Sequence, residues 1–253
     1  MPIAFFERSW DTYHTIVAHD LMEHRALTSA CAKALRQWLR DRPQTAPSAS
    51  AGPAMVDLGC GDLTSLAPLL RELPLGSYTG LDLTASVLPR ASATLGPVPY
   101  PTHWQQGDLL SWAADGLPQR EAPQREAPHQ QATIDILHSA FAIHHLNDDD
   151  KEVFLRGARE RIAPNGLFLW ADVFRRPGEA EAEAKRRYGD RVLSGWSPLS
   201  AEQKRQTIDH IQALDHPADR AAIQAVAEAS GWHWQWLWQG HHDSEALARL
   251  TPA

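Results

Sequence analysis

Ala54-Met-Val-Asp-Leu-Gly-Cys-Gly-Asp62 is the stretch on which the reading of the chain turns. Its first five residues form a short apolar run carrying one acid, Asp57, as expected of a strand buried on both faces. Gly59 and Gly61 then let the backbone turn sharply and leave room for a ligand against the main chain. The same texture recurs downstream. Ser77-Tyr-Thr-Gly-Leu-Asp82 ends in an acid, and residues 102–105 lead to Gly107-Asp108. Ala132-Thr-Ile-Asp-Ile-Leu-His138 and residues 166–173 supply a fourth and a fifth run. Helical segments are expected between them at about 64–73, 85–95 and 149–162. Strands alternating with helices predict an α/β fold, a mostly parallel sheet covered by helices on both faces.

The flanks depart from this alternation. Residues 5–41 carry apolar side chains at helical spacing (Phe5, Phe6, Trp10, Tyr13, Ile16, Val17, Leu21) and read as an N-terminal helical cap ending near 45. Residues 42–53, rich in Pro, Ser, Ala and Thr, read as a linker. Residues 118–127 repeat Pro-Gln-Arg-Glu-Ala twice, and 115–131 read as a solvated loop. Residues 175–217 read as a helical insertion poised as a lid, and a further helix is expected at 219–230. In the tail, Trp232, Trp234, Trp236 and Trp238 alternate with polar and apolar residues, a period-two strand with four indoles on one face. Residues 245–250 are its expected antiparallel partner.

Composition narrows the function. Over 253 residues, 24 Lys and Arg face 31 Asp and Glu, a net charge of −7. A general nucleic-acid binder needs a basic face instead. Cys31 and Cys60 give neither a disulfide framework nor a four-ligand zinc site. The start lacks a signal-peptide pattern, and no apolar run approaches the ~20 residues of a spanning helix. The expectation is a cytoplasmic protein with a small-molecule partner, no nucleic acid and no membrane.

The chemistry gathers at the strand ends. Open parallel sheets bind ligands beyond the carboxyl ends of their strands. There Asp57 can orient the glycine loop or meet a positive group, Asp82 can accept both hydroxyls of a ribose, and Asp108 can accept from the amine of a base. A nicotinamide dinucleotide is the competitor, but Gly59-Cys-Gly61 is followed by Asp62, Leu63 and Thr64, without the third small residue of that fingerprint.

Val56-Asp-Leu-Gly-Cys-Gly-Asp62 resembles the first motif of class I S-adenosylmethionine-dependent methyltransferases. Gly80-Leu-Asp-Leu-Thr-Ala-Ser86 and Gly107-Asp-Leu109 are similar to the next two. Ile134-Asp-Ile-Leu-His-Ser-Ala-Phe-Ala-Ile-His-His-Leu146 resembles the fourth strand and loop, and Ala163-Pro-Asn-Gly-Leu-Phe-Leu169 the turn into the fifth. The resemblance implies a Rossmann-like seven-stranded sheet over 46–253 with an antiparallel last strand. It implies S-adenosyl-L-methionine as cofactor and methyl transfer to an O, N or C atom of a small molecule. By position it implies Asp57, Gly59 and Gly61 at the methionine moiety, Asp82 at the ribose and Asp108 at the adenine amine, with Cys60, Leu83 and Leu109 also among the cofactor-binding residues. Ser139 and Ala140 would lie beside the sulfonium, with Tyr13 and Arg25 reaching the cofactor's carboxylate from an N-terminal lid. Thr64 stands where many members carry Gly. A non-catalytic S-adenosylmethionine-binding or S-adenosylhomocysteine-binding regulator is the alternative function.

An acceptor must also shed a proton, and histidine takes one near neutral pH. His144 and His145 are the catalytic candidates, as general base or as orienting groups. No metal is expected, because adjacent histidines diverge and Asp148, Asp149 and Asp150 suit a helix start. For the acceptor, Arg175, Arg176, Lys185, Arg186 and Arg187 offer positive charge, and Tyr188 and Trp196 offer aromatic cover.

Overall fold

The computed structural model describes residues 10–42, 52–115 and 134–253. The expected helical start at 5–9, most of the 42–53 linker and the 118–127 duplication lie outside the described residues. Among the described residues eight strands form one sheet: β1 (Ala54–Leu58), β2 (Ser77–Asp82), β3 (Thr102–Gln106), β4 (Ile134–Ala140), β5 (Ile162–Arg175), β6 (Ala218–Asp219), β7 (Trp232–Gln239) and β8 (Glu245–Pro252). Their order is β3-β2-β1-β4-β5-β8-β7, with the two-residue β6 paired to β5. The first five strands are parallel, β8 runs antiparallel to β5, and β7 antiparallel to β8. The chain moves outward from β1 to β3 and returns at β4, so the strand order switches between β1 and β4. That switch is where such sheets take ligands, and there Asp57 sits between Gly80 and His138 in register.

Side-chain alternation along the strands feeds two cores. Met55, Tyr78, Ile136 and Leu167 pack under α2 (His24–Asp41), α3 (Ala67–Leu70) and α4 (Leu88–Leu95). Val56, Leu137, Phe168 and Trp170 pack under α5 (Leu109–Asp115), α6 (Asp148–Arg161) and α9 (Arg220–Ala229). Burial on both faces is why these strands read as continuous apolar runs. A third cluster, Ile16, Val173, Tyr188, Val192, Trp196 and Ile211, joins α1 (Trp10–Ala18), α7 (Glu181–Gly195) and α8 (Ala201–Leu214) over the carboxyl end of β5.

Several local expectations change. The N-terminal segment is two helices, broken at 19–23, where Asp20 and Glu23 take positive φ of 57° and 56°. Helical spacing of apolar residues persists across that break, so periodicity alone conceals it. The helix expected at 64–73 shrinks to one turn, α3, while β5 extends beyond 166–173 at both ends. The four indoles do not share a face. Trp236 pairs with Ala248 but Trp238 with Leu247, a bulge that leaves Leu237 over. Trp232, Trp234 and Trp236 therefore pack with the α6 and α9 layer, and Trp238 with the α2 layer. Trp232 is buried, its Nε1 donating to Leu155 O at 3.0 Å.

Candidate functional site

A cleft of about 460 Å³ opens over the carboxyl ends of β1, β2 and β4, within the range of small-molecule sites. The glycine loop builds its floor. Gly59 N and Cys60 N both donate to Leu81 O, at 2.8 and 3.0 Å. Gly59 has φ +69°, and a Cβ there would lie 2.4 Å from Ala142 Cβ, so only glycine fits. Gly61 has φ +55° and open space where a Cβ would be, which leaves its backbone accessible to a ligand.

Asp82 closes the loop. Its Oδ2 accepts from Gly61 N at 2.9 Å and its Oδ1 from Thr84 N at 2.8 Å. Burial pushes its carboxyl up despite those amides. Leu83 beside it remains 38% exposed at the cleft mouth. Asp57, fully inside, accepts from the Tyr78 hydroxyl at 2.8 Å and pairs with His138 Nδ1 at 2.7 Å. Burial alone would lower the His138 pKa, but the adjoining Asp57 carboxylate outweighs it and holds the imidazole up at about 10. Asp62 gathers the N-terminal helix: it bonds His14 Nε2 at 3.0 Å and Tyr13 OH at 3.5 Å. It also accepts from Thr64 N and Thr64 Oγ1. Asp108 sits before α5 and accepts from Leu110 N at 2.9 Å and Ser111 N at 3.0 Å through Oδ1.

Of the residues expected at a cofactor, Tyr13, Asp57, Gly59, Cys60, Gly61, Asp82, Leu83, Asp108, Leu109 and Ala140 line this cleft. Ser139 and Arg25 are not brought to it. Ser139 is fully buried within β4 and donates to Leu58 O at 2.9 Å. Arg25 is exposed and its guanidinium donates to Ala18 O at 3.1 Å. Burial pushes the Cys60 thiol well above its usual value, so it is a small buried group.

The far half of the cleft lies beneath α7 and α8. His144, in a 3₁₀ turn after β4, is clamped by Asp172 of β5: Nδ1 lies 2.5 Å from Oδ1, and its backbone N–H donates to Oδ2 at 3.0 Å. Asp172 also accepts from Trp170 Nε1 and Val173 N, both at 2.9 Å. Beyond His144, the Oδ1 of Asp215 faces three imidazoles: His144 Nε2 at 3.6 Å, His145 Nδ1 at 3.4 Å and His210 Nε2 at 3.3 Å. Burial would lower the His144 pKa, but Asp172 and Asp215 raise it. Burial and the neighbouring His144 push His145 down to about 3.

The basic residues expected to draw an acidic acceptor are engaged elsewhere. Arg175 pairs with Asp148, Arg176 with Asp243, Lys185 with Glu181 and Arg187 with Glu179, while Arg186 is exposed. Lys185 and Arg187 nevertheless line the cleft, and Lys185 is buried. Tyr188 and Trp196 do line the cleft. His138, Asp172, His210 and Asp215 escaped the sequence reading. His138 stood in plain view at the end of a strand, with no spacing to mark it. The others reach His144 only through folding.

The elements define a Rossmann-like α/β fold with its cleft at the strand-order switch. Residues 56–168, a little under half of the chain, match the family model described as a methyltransferase domain. No curated protein matches the chain. Among solved structures it is similar to CalO1, a methyltransferase in calicheamicin biosynthesis in its SAH-bound form. That match has TM-score 0.57 and 19% identity, over 100% of this chain and 61% of the other. Streptomyces venezuelae DesVI gives TM-score 0.54 and 15% identity, over 98% of both chains. The citrinin polyketide synthase CMeT domain gives 0.51 and 12%, over 80% of this chain. The chain spans only 47% of that last structure, about half its length. Among the described residues no helix is long and apolar enough to cross a membrane.

Proposed function

We propose that the protein moves a methyl group from S-adenosylmethionine to an oxygen, nitrogen or carbon atom of a small-molecule acceptor bound beneath α7 and α8. The observation that carries this is the continuity of one cleft, from the Asp82 and glycine-loop floor to the His144–Asp172 pair. The cofactor half suits the group by its donor set. Asp82 offers carboxylate oxygens to a ribose diol, and Gly61 leaves main chain open, with the Asp57–His138 pair bracing the strand ends beneath it. Leu83 and Leu109 give apolar cover to an adenine, with Asp108 at its edge.

Bound there, S-adenosylmethionine would supply an electrophilic methyl, open to in-line attack by an electron pair of the acceptor, with S-adenosylhomocysteine leaving on the carbon–sulfur pair. The chain's part is mostly positioning, which can account for several kcal/mol of such a barrier. Ile16, Met22, Val173, Tyr188, Trp196 and Ile211 wall the acceptor half, favouring an apolar, ring-bearing molecule. His144 and His145 are the polar groups that meet its reacting end, orient it and govern loss of its proton. Tyr13 and His14, tied to Asp62, hold α1 over the cofactor half.

Calorimetric titration of ligand-stripped protein with S-adenosylmethionine, S-adenosylhomocysteine and NAD tests the reading. Micromolar binding of the first two and none of NAD is expected, followed by S-adenosylhomocysteine release with hydroxyl- or amine-bearing aromatic acceptors. Binding of NAD alone overturns it.

A further inference from the structure

The four side chains at the far end of the cleft do more than line it. One ring nitrogen each of His144 and His145 and an Asp215 oxygen lie within 4.8 Å of one another, and His210 Nε2 adds a fourth donor 3.3 Å from Asp215 Oδ1. All four residues open onto the cleft. The separations from Asp215 Oδ1, 3.3, 3.4 and 3.6 Å, exceed the ~2.7–2.9 Å of charge-assisted hydrogen bonds. They match instead the spacing of neighbouring ligands, since two donors each ~2.0–2.2 Å from one ion stand about 3.0–3.5 Å apart. Asp215 Oδ1 is buried and shared among the three imidazoles, with none of them closer than 3.3 Å. A carboxylate oxygen surrounded by imidazole nitrogens at that distance is shaped for an ion among them.

A second observation is independent of these distances. Metal-bound histidine usually commits its other nitrogen to a carboxylate, which fixes ring and tautomer. His144 does so with Asp172, and Asp172 is itself held by Trp170, Val173 and the His144 backbone. The adjacent rings do not diverge as their neighbouring positions suggested. The 3₁₀ turn at Ile143–His145 brings their centroids to 4.1 Å, and α8 with the following loop supplies His210 and Asp215. The acids at 148–150, the sequence-level candidates, open α6 instead.

We infer that His144, His145, His210 and Asp215 bind one divalent transition-metal ion at the acceptor end of the cleft. An imidazole-rich set with one carboxylate suits zinc, cobalt, nickel or iron better than magnesium or calcium. The positions facing the cleft then hold an acceptor through an oxygen, a hydroxyl or a carboxylate. That role toward the acceptor rests on the methyltransferase reading, whereas the site itself does not.

The test uses the full chain dialysed against chelator. Co²⁺ is titrated with its visible absorption as readout, Zn²⁺ displaces it under calorimetry, and S-adenosylhomocysteine binding is measured on the same samples. One equivalent of Co²⁺ per chain is expected. Asp215→Asn and His145→Gln should each weaken it at least tenfold, with His241→Gln, at an exposed turn, leaving it unchanged. Should Asp215→Asn fail to fold by circular dichroism, His210→Gln on the cleft wall carries the comparison. Absence of stoichiometric uptake, or uptake indifferent to these substitutions, overturns the inference. S-adenosylhomocysteine binding without metal uptake sinks the metal site and leaves the methyltransferase reading intact. The opposite result does the reverse.

Discussion

Asp82 has two duties, and one substitution tests both. Its oxygens hold Gly61 and Thr84 by their backbone N–H groups, and the same carboxylate is the one we propose for a ribose diol. Asp82→Asn retains shape and one acceptor oxygen but replaces the other with a donor. S-adenosylhomocysteine affinity should fall about tenfold or more, the cost of ~1–3 kcal/mol for an ill-matched polar pair. Stability should fall by about 1–3 kcal/mol as well, because the amide nitrogen must face one of the two backbone N–H groups, and calorimetry and a urea melt report the two losses separately. His138 gives a pH signature. With its folded pKa at about 10 against 6.5 for the unperturbed imidazole, its pair with Asp57 stabilises fully below about pH 6.5. That stabilisation is lost as pH rises through 10. The stability gap between wild type and His138→Gln, by urea denaturation, should be ~3–5 kcal/mol near pH 6 and shrink towards pH 10. Asp57, Asp82 and Asp108 were legible in sequence because each ends a strand next to a glycine or turn. Arg25 was misplaced because the left-handed residues at Asp20 and Glu23 redirect the helix that carries it.

At the scale of elements, one buried lysine places the loop that carries Asp215. Lys151, fully buried on α6, donates its ammonium to Leu146 O and to His216 O. His216 N in turn donates to His144 O at 2.6 Å. Burial pulls the Lys151 pKa down and Asp148 resists the change. Lys151→Met keeps the apolar stem and leaves both carbonyls without the ammonium. A loss of about 2–5 kcal/mol is expected, at ~1–3 kcal/mol per orphaned group, read by urea denaturation. Nothing in the sequence marks this lysine, since its partners are backbone carbonyls 5 and 65 residues away. The strands were legible for the opposite reason. Each is a run buried by its own neighbours, and its pattern needs no distant partner to declare itself. The bulge at Leu237 shows where that ends: one extra residue rotates Trp238 to the other face, and period-two reading assumes no such residue.

For the whole molecule, Arg191 joins three parts that the sequence presents separately. Its Nη1 lies 2.7 and 2.8 Å from the two oxygens of Glu245 on β8, and its Nη2 donates to Leu21 O at 2.6 Å. The Tyr188 hydroxyl adds a bond to the same carboxylate at 2.8 Å. The helical insertion is thereby tied to both the sheet and the N-terminal segment, and the acceptor half of the cleft keeps its roof. Glu245 is wholly buried, so Arg191→Met strands a charge at a cost of ~3–5 kcal/mol. Adding Glu245→Gln removes that charge, and the double variant should recover part of the loss, a non-additivity that urea denaturation of the four proteins reads directly. Hydrogen exchange should place the damage: amides of α7 lose protection in Arg191→Met while those of β1 and β4 keep theirs. Equal loss in all three would make the pair a prop of the sheet rather than the hinge pin of the roof. The cofactor half would then have to weaken in step with the acceptor half.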